Sequence, residues 1–248
     1  MRTLRWTLLL ALLSCGGSTG GTLVQVPFRA GGVVRDPSKP FTFDTPTGWT
    51  VTLTTARIAT GPFYFNIIPA PTSTFRAGVV ILEATAQVIV DPLDPTLHEL
   101  AGGADGETGK AVSVEIGLLP PDVTASSAAS DLLGNGFAYV AGTATKDATS
   151  VPFAGLAIVD QSLATSTQPL AALQRIAGAA VDLQVTGGAQ NLTMRIDPTH
   201  WFDQTDFGSL AATPVIQGAH GWAEKSTFHA QLLQGIKSSS GVYAFTLE

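Results

Sequence analysis

Cysteine is almost absent from this 248-residue chain, which holds one, Cys15. A lone thiol cannot close an internal disulfide, so the fold must rest on its apolar core. Charge is scarce too: Asp, Glu, Lys and Arg make up 13% of the residues, about half the share usual in soluble domains. Cations are the scarcer sign, 13 against 19 acids, for a net charge of −6. That balance excludes nucleic acid, whose phosphates require a basic patch, and polybasic contact with anionic lipid. Apolar runs are short. Trp6 to Leu13 is apolar except for Thr7, far below the roughly 20 residues of a membrane-spanning helix. Long helical patterns, internal repeats and low-complexity stretches beyond one glycine tether are missing as well.

What the chain does have begins at its start. Arg2 and Arg5 precede that short apolar run, and small residues follow, which is the export-signal pattern. The stretch Leu12-Leu13-Ser14-Cys15 resembles the lipobox of bacterial lipoprotein precursors. The resemblance implies cleavage before Cys15, diacylation of its sulfur by chains such as palmitate, and acylation of the new amino terminus. Residues 1–14 then form the signal peptide. Residues 15–21 are a lipidated cysteine with a Gly/Ser tether, and 22–248 form a single domain or two subdomains. Two or more lipid signals anchor a protein stably, whereas one does so marginally. In the lipoproteins it resembles, an aspartate after the cysteine favours inner-membrane retention, and Gly16 stands there instead. The expected location is therefore the outer membrane, facing the periplasm or the cell surface. Losing Arg2 and Arg5 leaves the mature chain with 11 cations against 19 acids.

Alternation with period two runs through the mature sequence. Leu82, Ala84, Ala86, Val88 and Val90 share one face, as do Val112, Val114, Ile116 and Leu118. Val181, Leu183 and Val185 follow the same pattern, as do Leu192, Met194 and Ile196. Such alternation marks half-buried strands. Further strands are expected at 24–28, 49–59, 62–69, 137–146, 152–160 and 241–248, divided by breakers such as TPTG, DPLDP, LPPD and TGGAQ. The predicted fold is all-β, an antiparallel sandwich of immunoglobulin-like or jelly-roll-like type. One or two short helices are expected near the carboxyl terminus. One follows Asp197-Pro198. Ser226 caps the other, which carries Phe228, Leu232 and Ile236 on one face.

Catalytic motifs fail on inspection. GGSTG at Gly16–Gly20 has the letters of a nucleophile elbow but no strand before it. GGADGETGKA lacks the first glycine of a phosphate loop, since Ala104 stands there, and Ala111 replaces the Ser or Thr after Lys110. It reads instead as a surface loop. An enzyme is not indicated.

Four histidines remain: His98, His200, His220 and His229. No two are spaced to share one strand face or helix face, so a metal site would be assembled across loops. With no free thiolate, ligands would be imidazoles joined by Asp197, Asp203, Asp206 or Met194, a set suited to copper or zinc. The bland alternative gives each histidine a local role, Asp197 a cap and Met194 a core position. Trp49, Trp201 and Trp222 border turns, as core plugs or as a binding surface.

The segment GWTVTLTTARIATGPFYFNII, Gly48–Ile68, resembles the start of exported copper-associated β-sandwich proteins of the MbnP type. It carries no metal ligand, and no ligand position of that family maps onto the four histidines. The sequence thus suggests a lipid-anchored binding protein for a metal ion or small ligand. The alternative is a structural lipoprotein that contacts an envelope protein partner without a small-molecule site.

Overall fold

The computed structural model describes residues 21–69, 79–121, 128–238 and 240–248. Cys15, the glycine tether and the export segment lie outside them. The described chain is mostly strand, as the alternation requires, and its strands assemble into three sheets.

The first sheet has six strands: β1 (Leu23–Val26), β5 (Phe63–Asn66), β6 (Val80–Ala84), β9 (Ala104–Glu107), β10 (Gly109–Gly117) and β13 (Arg175–Val185). Their order is β1-β9-β6-β5-β10-β13, with every pairing antiparallel. The second sheet contains β3 (Phe41–Asp44), β4 (Thr50–Thr60), β7 (Val88–Val90), β11 (Ala138–Lys146) and β12 (Thr149–Ala157), and ends in β15 (Val215–Ile216) and β16 (Ala219–His220). Its long strand β4 pairs with β11 along one edge. On the other edge β3 pairs with the first half of β4 and β7 with the last three residues. The third sheet joins β17 (Tyr243–Leu247), β14 (Leu192–Ile196), β2 (Phe28–Gly32) and β8 (His98–Glu99), with β14 and β2 parallel.

All the buried apolar side chains but Ala59 and Leu133 form one contiguous cluster. Phe28 of β2 meets Phe63 of β5 edge-on at 4.9 Å, and Phe65 meets Phe245 of β17 at 5.5 Å, so the third sheet packs on the first. Phe153 of β12 gathers Phe202 and Phe207, at 5.8 and 5.1 Å, over the second sheet. Offset and edge-on aromatic contacts of this kind add about 1 kcal/mol each beyond the area they bury. Met194 is fully buried between Leu192 and Ile196, a core residue and no ligand. Trp49 and Trp201 are likewise core plugs.

The chain passes between the first two sheets twice in succession. β4 leaves the second sheet, turns through Gly61-Pro62, a cis peptide, and continues as β5 in the first. β6 then leaves the first sheet, and after Thr85–Gln87 the chain re-enters the second as β7. The alternating run from Leu82 to Val90 is therefore two strands in two sheets. The corners touch: a β-carbon on Gly61 would lie 2.5 Å from the Ala86 carbonyl oxygen.

The surface loop expected at GGADGETGKA is instead strand at both Ala104–Glu107 and Gly109–Ala111, the ends of β9 and β10 meeting at Thr108. β9 occupies Ala104–Glu107, between β1 and β6. Gly106 leaves the space that lets the Ile81–Leu82 backbone close on it. Four short α-helices are present among the described residues: α1 (Ala128–Leu133), α2 (Leu170–Leu173), α3 (Phe207–Ala211) and α4 (Thr227–Ile236). Two of these lie near the carboxyl terminus. In α4 the Ser226 hydroxyl accepts from the His229 N–H at 3.2 Å, the cap its sequence announced.

A polar cleft beside the His200–Asp203 pair

β14 ends at Ile196; the carboxylate of the next residue, Asp197, accepts the Thr199 N–H at 2.9 Å and opens a 3-10 turn over Thr199–Phe202. The turn sorts its side chains by polarity. Trp201 and Phe202 are buried in the core, while His200 stays 43% exposed beside Asp203. The His200 Nδ1 and the Asp203 carboxylate lie 2.9 Å apart. With the proton on Nδ1 this is a charge-assisted hydrogen bond that fixes the ring and leaves Nε2 as the acceptor. Gly241, held at φ +78°, passes over the ring so closely that a β-carbon there would sit 2.7 Å from Nε2.

The last turn of α4 forms the opposite wall. Together the two elements enclose an open cleft of about 530 Å³ lined by His200, Asp203, Gln204, Gln234, Lys237 and Ser238. Lys237 donates to the Leu173 carbonyl at 2.8 Å, which ties the cleft to the end of α2. Partial burial pushes its ammonium below the ordinary lysine range. Ser238 is engaged in its own turn, accepting from the Ser240 N–H at 3.4 Å.

The remaining histidines sit elsewhere. His98 is exposed on β8, opposite Ala30, where the neighbouring Arg29 and Glu99 pair at 3.0 Å. His220 on β16 is half-buried and donates from Nδ1 to the Thr213 carbonyl at 2.7 Å. His229 is buried in α4 with both ring nitrogens engaged. Nδ1 donates to the Glu224 carbonyl, and Nε2 accepts the Ile158 N–H at 3.1 Å. Burial holds this imidazole below its usual range and keeps it neutral. Asp206 caps α3 by accepting from Gly208 N–H at 2.9 Å. Among the described residues, no three His, Cys, Asp or Glu side chains converge into a group that could hold a metal ion. The structure thus brings His200 and Asp203 together but gathers no cluster from His98, His200, His220 and His229.

Sequence reasoning named His200 and Asp203 but missed Gln204, Gln234, Lys237 and Ser238. No spacing rule links residues 200–204 to 234–238; only the crossing of α4 over the 3-10 turn does so. Gly235, at that crossing, was the available signal.

No known protein family matches the chain, and no curated protein resembles it in sequence. Among solved structures it is similar to "MbnP from Methylosinus trichosporium", at 11% identity and a TM-score of 0.41. The match covers 91% of this chain and 98% of that one.

Proposed function

We propose that this protein is a lipid-anchored lipoprotein of the cell envelope, outer membrane by its Gly16, and that it binds a small polar ligand without chemical turnover. The anchor rests on the lipobox at Leu12–Cys15. The binding reading rests on one observation: the cleft between the 3-10 turn and α4 is lined by six polar side chains, with Lys237 and His200 on opposite walls. Two amides, a hydroxyl and an ammonium offer donors in excess, which suits a small carboxylate or other oxyanion. One imidazole and one carboxylate fall short of the three protein ligands of an open zinc site. An anion is therefore favoured over copper or zinc.

The experiment has two arms. Growth with labelled palmitate should mark the parent and leave a Cys15→Ala variant unmarked and soluble. The purified protein should then be titrated with a panel of small di- and tricarboxylates, with phosphate, and with copper and zinc salts. Saturable anion binding that is lost in both Gln234→Leu and Lys237→Met supports the reading. Metal uptake without anion binding, or no binding at all, overturns it.

A further inference from the structure

Exposed large apolar side chains are not scattered evenly over this molecule. Ile67 (43% exposed), Ile68 (39%), Val79 (44%) and Val80 (39%) stand together where the β5–β6 hairpin leaves the first sheet. The Ile67 N–H donates to the Val79 carbonyl at 3.1 Å, which closes the base of the hairpin. Strand register fixes what lies beside it. Val80 of β6 pairs with Asn66 of β5, and Leu82 with Gly106 of β9. Leu23 of β1 pairs with Glu107, one residue further toward the same end. Leu23 is itself 82% exposed.

This end of the sheet is also where the described chain begins. Thr22 is fastened to Thr108 by two hydrogen bonds of 2.9 Å, one in each direction. Only six residues, Gly16 to Gly21, separate that clasp from Cys15. Fully extended they span about 20 Å, and as a glycine-rich coil about 13 Å. A lipid on Cys15 therefore keeps this end of the first sheet close to the membrane surface. Of the charges at this end, Lys110 and Asp182 pair at 2.9 Å, and Glu107, opposite Leu23, is partly buried.

We infer that the end of the first sheet formed by Leu23, Ile67, Ile68, Val79 and Val80 is a second, non-covalent membrane contact, which seats its apolar side chains in the lipid interface. The inference rests on the lipoprotein reading of Cys15. It explains why a fold with a well-filled core leaves five large aliphatic side chains in water at one place, the place the tether reaches. Apolar side chains inserted at the headgroup boundary add to an acyl anchor and restrict the orientation of the domain. The cleft beside His200 is then presented in a fixed direction relative to the bilayer.

Acylation consumes the only native thiol, so a cysteine introduced elsewhere can be labelled alone. The lipidated full-length protein should be purified as Val79→Cys, Ile68→Cys and Ala101→Cys variants. Ala101 is exposed just before β9, at the opposite end of that strand. Each variant is labelled with an environment-sensitive dye and reconstituted into vesicles of phosphatidylethanolamine and phosphatidylglycerol. Dyes at 79 and 68 should shift to the blue and lose intensity when the lipids carry brominated acyl chains. The dye at 101 should do neither. If the protein carries its acyl chains and floats with the vesicles while the dye at 79 reports water, the inference fails and the lipoprotein reading stands. A blue shift at 79 without quenching by brominated lipid also overturns it, because something other than lipid then covers the patch. If no acyl chain is found and the protein does not float, both fall together.

Discussion

Gly235 of α4 lies directly on the backbone of Trp201: a β-carbon added there would overlap the Trp201 carbonyl and sit 2.8 Å from its α-carbon. Replacing a helical glycine by alanine ordinarily gains up to about 1 kcal/mol of helix propensity, less in a last turn such as this one. Here the methyl group has no room, because Trp201 is fully buried and cannot retreat. Gly235→Ala should therefore destabilise the protein by about 2–3 kcal/mol in urea denaturation. Gly187, where an added methyl group would meet nothing within 4 Å, serves as the contrast. Gly187→Ala should be neutral or stabilising by less than about 1 kcal/mol.

His229 makes stability depend on pH in a direction that can be worked out. Burial lowers its folded-state pKa below the ordinary 6.5. As pH falls through that ordinary value the unfolded chain takes up a proton that the folded chain refuses. The contribution of the neutral ring is complete above the unfolded pKa and is lost progressively toward the lower folded one. The urea midpoint should drop between about pH 7.5 and about pH 5.5. His229→Gln should be weaker at the higher pH yet lose less on acidification. An equal drop in both proteins would assign the effect to another group.

Arg175 and Glu115 pair at 3.0 Å across β13 and β10, with side chains 17% and 13% exposed. Arg175→Met would leave a mostly desolvated carboxylate without its cation, at a cost of about 3 kcal/mol. The double change Arg175→Met with Glu115→Leu should recover most of that loss, because the desolvated charge goes with its partner. A double-mutant cycle by urea denaturation reads both numbers.

The Tyr243 hydroxyl donates to the Ile236 carbonyl at 3.0 Å, joining β17 to the last turn of α4. Full burial pushes its phenol far above the usual tyrosine range. Tyr243→Phe should cost about 1–2 kcal/mol, since it strands a buried carbonyl. In spectrophotometric alkaline titration it should also remove the part of the tyrosinate signal that appears only on unfolding.

Much of this fold could be read from alternation alone. β10, β11, β12, β14 and β17 lie where period-two patterns or their flanking breakers put strands, and the Ser226 cap marked α4 to the residue. Legibility ended where one-dimensional pattern meets three-dimensional change. The run from Leu82 to Val90 alternates without interruption, yet its two ends face the core from different sheets. β9 was hidden by its glycine, which reads as a turn signal but is needed because the β6 backbone crowds against it. α3 is a five-residue helix whose only announcement was a capping aspartate, Asp206, among several aspartates in the same stretch. The cleft was half legible: an exposed histidine beside a carboxylate three residues on is visible in the sequence. Its second wall is brought there by packing.

The interleaving of the sheets has a consequence for how the protein can be taken apart. Residues before Ala86 already include strands of all three sheets, and so do the residues after it. A cut at that corner yields no fragment that owns a whole sheet, and neither piece can complete its layers without the other. Proteolytic nicking and gene fission at that corner should give the same result, two halves that survive only by reassociating.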